Sequence, residues 1–149
     1  NLRFDPMAML PFCGYNMADY FGHWLKVGAA TKSENLPKIF FVNWFRRDED
    51  GRFMWPGYGE NSRVLKWIFD RVDGNANATK TAIGYLPSPA DIDITGLNVT
   101  AADMNALLSL DSEGWKSALP QMRDHYAQFG AKLPAPLTTA LNELESSLK

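Results

Sequence analysis

The segment Trp55-Pro56-Gly57-Tyr58-Gly59-Glu60-Asn61 combines residue types that could bind a planar ring. Aromatic faces stack well on such rings and lose little rotamer entropy, and glycines allow the backbone to approach a ligand closely. Helix-forming residues follow Asn61, and the unpaired N–H groups of a helix start suit a carbonyl oxygen such as O6 of guanine. The same donors would reject the amino group of adenine, so one hypothesis is a guanine slot.

A structural explanation of the same segment is equally coherent. Trp55 and Tyr58 could pack back over a preceding hairpin and close a core. Residue pattern alone favours this packed loop over the base slot, and it leaves a carbohydrate or peptide platform as a third hypothesis. Stacking on a base is worth ~1–3 kcal/mol but hardly distinguishes bases, so recognition of guanine also needs hydrogen bonds to the ring edge.

Other kinds of site have little support in the 149 residues. Neither a GxxxxGK[ST] phosphate loop nor a GxSxG elbow occurs, and two histidines and one cysteine argue against a His- or Cys-rich metal site. We therefore see no complete active site. A net charge of −2 argues against general nucleic-acid binding, and no apolar run approaches the ~20 residues of a membrane span. The single cysteine favours a reducing, cytoplasmic location.

The elements that would position the aromatic residues indicate a mixed α/β (α+β) fold, with a short β-hairpin region and about five helices. The β-branched and aromatic run at 39–42 predicts a buried strand, Asp50-Gly51 predicts a hairpin turn, and residues 52–55 would return. The face predicted to be buried in the next helix consists of Val64, Leu65, Ile68, Phe69 and Val72. Five helices are predicted, at 15–28, 62–72, 100–110, from 111 or 112 to 129, and at 137–148. Asn16 is the expected N-cap of the first, a capping box begins the third, and Pro120 predicts a kink or break in the fourth.

Two stretches then carry a family resemblance. DPMAMLPFCGYN at 5–16 and LPKIFFVNWFRRDEDGRFMWPGYGENSRVLKWIF at 36–69 resemble the C-terminal part of the GTP-dependent phosphoenolpyruvate carboxykinases. The resemblance continues more loosely through the helical tail and covers essentially the whole chain. The VNWFR…WPGxGEN block is highly specific to this family, and the Met-Leu-Pro-Phe-Cys version is similar to bacterial members.

The resemblance implies conversion of oxaloacetate and GTP to phosphoenolpyruvate, GDP and CO2, a lyase reaction of gluconeogenesis assisted by Mn2+ and Mg2+. It implies that guanine lies between Phe45, Phe53 and Tyr58, where the family often has Phe at the last position. Asn61 and the backbone near Tyr58 would read the guanine edge. Cys13 would lie near the phosphoenolpyruvate site without being catalytic.

The resemblance also implies what lies outside this sequence. The family's phosphate loop, its Lys/His/Asp manganese ligands and its substrate-binding arginines belong upstream, and a mobile lid belongs just before Asp5. We expect residues 1–149 to form one C-terminal subdomain, a third or a quarter of the enzyme, inactive alone and packed on the upstream part. We expect the full enzyme to be cytoplasmic and monomeric. The alternative is a freestanding interaction module with an exposed aromatic patch, which would bind proteins without nucleotide.

Overall fold

The computed structural model describes residue 12 and residues 14–148. Contacts between Cα atoms divide the chain into two compact units. The first contains the described residues up to 37 together with residues 111–148, and the second contains residues 38–110. Whether the two act as a single subdomain stays a prediction, and each is described by itself below.

The first unit is helical. Its helices are α1 (Met17–Ala30), α4 (Ser112–Ala127) and α5 (Ala135–Ser147). Asn16 caps α1 as predicted: its side-chain oxygen accepts from the N–H of Ala18 at 2.9 Å, and its amide donates to the carbonyl of Phe129 at 3.1 Å. Met17, Ala18 and Phe129 form the buried cluster of this unit.

Helix α4 begins at the predicted cap, where the Asp111 carboxylate accepts from the N–H of Gly114 at 2.8 Å. It then runs without interruption past Pro120, so of the predicted kink or break the break does not occur, and the kink stays a prediction. A proline removes only one intrahelical hydrogen bond, and the neighbouring turns maintain the helix here. The last helix, predicted at 137–148, is α5, and the side chains of Leu141 within it and of Leu148 at its C-cap are buried.

The second unit contains α2 (Asn61–Val72), α3 (Ala101–Leu108) and the strands β1 (Thr79–Thr81) and β2 (Gly84–Leu86). The two strands pair antiparallel, with Thr79 opposite Leu86 and Thr81 opposite Gly84. The buried core of this unit consists of Trp55, Trp67, Ile92, Val99 and Met104. The predicted mixed α/β class is therefore confirmed, and none of the described helices is both long and apolar enough to cross a membrane.

The prediction of a buried strand at 39–42 is wrong. These residues form neither strand nor helix, and the side chains of Ile39 and Phe41 are 92% and 96% exposed. Only Phe40 packs on the core, edge-on to Trp67 with 6.2 Å between ring centroids. A strand requires a neighbour to accept its backbone hydrogen bonds, and none of the described residues pairs with this segment.

The predicted boundaries of α2 are close to those observed, but its buried face was predicted only in part. Trp67 is the buried residue of this helix, with Val64 and Ile68 packed beside it, whereas Leu65 and Phe69 are exposed. Gly74 follows with φ 80°, which is the left-handed conformation expected just after a helix end. The apolar residues of α2 thus point in two directions, and only one of them is the core of this unit.

Candidate functional site

A short hairpin carries two of the predicted site residues. Arg47 and Phe53 form an isolated antiparallel bridge, and the N–H of Met54 donates to the carbonyl of Arg46 at 3.0 Å. Gly51 turns the chain with φ 79°, and its N–H donates to the carbonyl of Asp48 at 3.0 Å. The predicted turn is confirmed, although the arms make one bridge rather than two full strands.

The hairpin brings the rings of Phe45 and Phe53 together. Their centroids are 6.4 Å apart and their planes are inclined at 62°, and Phe45 is 73% exposed. The guanidinium of Arg47 lies over the ring of Phe53, 3.9 Å from its centroid, and donates to the carbonyl of Gly51 at 2.7 Å. One face of Phe53 is therefore covered by a cation, whereas the ring of Phe45 remains largely exposed.

Two arginines fasten the hairpin to α3. Arg46 donates to the carbonyl of Leu107 at 2.9 Å, and Arg52 donates to the carboxylates of Asp48 and Asp103 at 2.9 and 2.8 Å. Asp103 also closes the predicted capping box with Thr100. Hydrogen bonds from the N–H and hydroxyl of Thr100, and from Arg52, lower the pKa of Asp103 to about 2. The aromatic hairpin is thus anchored to a capped helix.

The turn before α2 holds Tyr58 away from the protein. Gly57 has φ 78° and Tyr58 has φ 38°, the one positive φ among the described non-glycine residues. The side chain of Tyr58 is 98% exposed and makes no ring contact with any described aromatic residue. An L-residue in the left-handed region costs about 1–2 kcal/mol. Such strain, persisting beside an exposed ring, is typical of a functional turn.

The free backbone donors lie one turn before the start of α2, in the backbone near Tyr58. The N–H of Asn61 is already bonded to carbonyls of Tyr58 and Gly59, because a 3₁₀ turn at Tyr58–Glu60 leads directly into α2. The N–H groups of Tyr58 and Gly59 have no acceptor among the residues that the structure describes. The prediction of an unpaired N–H at Asn61 is therefore wrong, and the available donors are those of the glycine-flanked turn itself.

The side chain of Asn61 is held by Trp55. The indole Nε1–H of Trp55 donates to Oδ1 of Asn61 at 3.0 Å. Trp55 is 6% exposed and lies in the core with Trp67 and Met104, so its position is fixed by packing. Residue pattern predicted only a packing role for Trp55, because this hydrogen bond depends on how the turn folds over the buried indole.

Arg63 ties the same turn to a neighbouring loop. Its guanidinium donates to the carboxylate of Glu60 at 2.6 Å and to the carbonyls of Asp93 and Thr95 at 2.8 and 3.1 Å. These charge-assisted bonds connect the first turn of α2 to the loop at 93–95, while Trp55 holds the side chain of Asn61. The turn that carries Tyr58 is thus tied both to a neighbouring loop and to the core.

The structure brings the predicted site residues into two groups. Phe45 and Phe53 meet on the hairpin, and Tyr58 and Asn61 share the turn that follows it. Sequence reasoning missed Arg47, because its place over Phe53 depends on the hairpin register that pairs the two residues. Cys13 lies outside the described residues, and no group of His, Cys, Asp or Glu within the described part of the chain could hold a metal ion.

Comparison with known proteins identifies the class first. The family model described as the phosphoenolpyruvate carboxykinase C-terminal P-loop domain matches residues 1–147, which is nearly the whole chain. The chain belongs to the GTP-dependent phosphoenolpyruvate carboxykinase family, because that model covers it and its relatives carry that name at high identity. The family membership predicted from the sequence is therefore confirmed.

Three curated relatives illustrate the similarity. Proteins named phosphoenolpyruvate carboxykinase [GTP] are 56% identical in Treponema pallidum strain Nichols, 54% identical in Neocallimastix frontalis and 51% identical in Chlamydia trachomatis. Each match covers 99% of this chain and 24% of the relative. The chain thus spans about a quarter of the length of the curated relatives that it matches.

Proposed function

We propose that this chain is the guanine-binding portion of a GTP-dependent phosphoenolpyruvate carboxykinase. We use the term full-length enzyme for this chain together with the upstream part that its relatives contain. In that enzyme oxaloacetate and GTP give phosphoenolpyruvate, GDP and CO2, a reaction of gluconeogenesis in the cytoplasm. The chemistry of decarboxylation and phosphoryl transfer, and the Mn2+ and Mg2+ that assist it, belong to parts outside this chain.

One observation carries the proposal, the exposed and strained turn at Tyr58. A ring that is 98% exposed on a left-handed residue contributes nothing to packing in this structure, so its position needs a reason outside the fold. The exposed rings of Phe45 and Phe53 lie on the hairpin that leads into the same turn. Aromatic faces next to unpaired N–H donors suit a purine that presents a carbonyl edge.

The donors nearby are consistent with guanine rather than adenine. The N–H groups of Tyr58 and Gly59 and the side-chain amide of Asn61 are donors without acceptors among the residues described. Guanine offers O6 as an acceptor, whereas adenine offers a donating amino group at that position. A base that stacks on these rings and accepts hydrogen bonds from these donors at O6 is therefore expected to be guanine or hypoxanthine.

The test uses the full-length enzyme and its Phe45→Ala variant. Titration calorimetry with GDP and ADP should give tighter binding of GDP to the wild type. Loss of one stacking partner should weaken GDP binding by about 1–3 kcal/mol, or roughly 5- to 150-fold. The control is Tyr85→Ala, which removes an exposed aromatic ring on β2 and should leave GDP binding unchanged. Phe129→Ala would be unsuitable, because Phe129 is buried. Equal dissociation constants for wild type and Phe45→Ala would rule out the slot.

We also propose that the rest of the enzyme covers the apolar side chains left exposed here. Ile39 and Phe41 form an unpaired, strand-like sequence, and Leu65 and Phe69 lie on the outward face of α2. Since these relatives are about four times longer than the stretch they share with this chain, the upstream part is the natural partner for these groups. The freestanding-module alternative would instead require them to bind a separate protein without any dependence on nucleotide.

A further inference from the structure

The orientation of the Asn61 side-chain amide bears on base preference. Asn61 can present either its oxygen or its nitrogen to a ligand, because rotation of the amide by half a turn exchanges the two. An oxygen would accept from the amino group of adenine, whereas a nitrogen would donate to O6 of guanine. Base preference at this position therefore depends on which end of the amide faces outward.

The partner of Asn61 decides this orientation. The indole of Trp55 has only a donor, so the atom of Asn61 that lies 3.0 Å from its Nε1 has to be the oxygen. The amide Nδ2 then has no acceptor among the residues that the structure describes. It is not among the buried polar atoms left without a partner, so it reaches solvent. The free donor of Asn61 is thus accessible from solvent.

The core fixes the indole in turn. Trp55 packs among Trp67, Ile92, Val99 and Met104, all of which are buried. A reversed Asn61 would place an NH2 group against the indole N–H, two donors facing each other beside a dry core, and both would lose a hydrogen bond. The chain of contacts therefore runs from the packed core to Trp55, from Trp55 to Asn61, and from Asn61 to the site.

We propose that Trp55 is a positioning residue for base selectivity: its indole N–H locks the Asn61 amide with the nitrogen outward, so that the site accepts a 6-oxopurine and rejects adenine. This inference rests on the proposed guanine site and adds to it a residue that does not touch the base. It assigns selectivity to a hydrogen bond inside the protein, and stacking by the aromatic rings contributes binding that is nearly independent of base identity.

The experiment compares Trp55→Phe with Trp67→Phe in the full-length enzyme. Both tryptophans are 6% exposed in one core, but the Nε1 of Trp67 has no hydrogen-bond partner among the described residues. The Trp67 variant therefore removes an indole from the same core without touching Asn61, and thermal unfolding reports any general loss of packing. The measured quantities are kcat/KM for GTP, ITP and ATP.

Trp55→Phe should lower the ratio of kcat/KM for GTP over ATP by about tenfold, the size of one lost hydrogen bond. The ratio for GTP over ITP should not change, because both bases carry O6. In an Asn61→Ala background Trp55→Phe should have no further effect on the GTP over ATP ratio, since Trp55 acts through Asn61. Trp67→Phe should leave all ratios at the wild-type values.

Two outcomes would overturn the inference. One is a GTP over ATP ratio that Trp55→Phe leaves unchanged, and the other is an equal fall in the Trp67→Phe variant, which would indicate general loosening of the core. Asn61→Ala separates this failure from failure of the proposed site. If Asn61→Ala lowers the ratio and Trp55→Phe does not, only the role of Trp55 is wrong, whereas no effect of Asn61→Ala contradicts guanine reading by this residue.

Discussion

Tyr58 offers a substitution that should change stability and nucleotide affinity in different directions. Its side chain is 98% exposed, so truncation removes almost no packing, and its φ of 38° is a conformation that glycine adopts without strain. Tyr58→Gly should relieve about 1–2 kcal/mol of strain. The flexibility of glycine in the unfolded chain offsets about 0.5–1 kcal/mol of this gain. The net change in the free energy of unfolding is then about 0–1.5 kcal/mol in favour of the variant.

The same change should weaken nucleotide binding. Loss of the stacking face costs about 1–3 kcal/mol, so the dissociation constant of the full-length enzyme for GDP should rise roughly 5- to 150-fold. Tyr58→Phe keeps the ring and should retain affinity. Thermal unfolding of the 149-residue chain, followed by tryptophan fluorescence, and titration calorimetry of the full-length enzyme with GDP measure the two quantities.

The two hypotheses for this turn differ in outcome. If the ring of Tyr58 served to close a core, Tyr58→Gly would lower the melting temperature by several degrees and leave the dissociation constant for GDP unchanged. That result would refute the reasoning from exposure and backbone strain. A raised dissociation constant with an unchanged or slightly higher melting temperature is the result expected of a ligand-binding ring.

Two further predictions follow from the contacts around the hairpin. The pKa of Asp103 is about 2 because Thr100, and then Arg52, donate hydrogen bonds to its carboxylate. The contribution of this carboxylate to stability should be complete above the pKa of an unfolded Asp, near 3.9, and should disappear as the pH falls through about 2. Thr100→Ala should raise the pKa of Asp103 in a carboxyl NMR titration, and an unchanged pKa would contradict the role of the Thr100 hydrogen bonds. Ile39→Asp should lower the free energy of unfolding of the full-length enzyme, measured by urea denaturation, by about 1.5–3 kcal/mol, since we propose that Ile39 is buried there. The same substitution should leave the stability of the 149-residue chain unchanged, because Ile39 is 92% exposed in it. Equal effects in both proteins would argue against burial by the upstream part.

The sequence predicted the parts of the fold that local chemistry determines. Asn16, Asp111 and the Thr100–Asp103 capping box start their helices as expected, because caps depend on side chains within three residues. The strand at 39–42 failed for the opposite reason. Its β-branched and aromatic residues favour a sheet, but pairing needs a partner distant in sequence, and none of the described residues supplies one.

The candidate site follows the same distinction. The aromatic residues Phe45, Phe53 and Tyr58 could be picked out from the pattern and the family resemblance. The hydrogen bond from Trp55 to Asn61 could not, because it depends on the way the turn folds over a buried indole. The guanidinium of Arg47 over Phe53 likewise required the hairpin register, which places the two residues opposite each other.

The most direct test of the central claim is a structure of the full-length enzyme with bound GDP. Our account predicts that the guanine ring stacks against Phe45 or Phe53 and against Tyr58, with O6 accepting from a donor of residues 58–61. The amide nitrogen of Asn61 should face the base while its oxygen remains bonded to Trp55. A guanine bound elsewhere, with Tyr58 still exposed to solvent, would contradict the account.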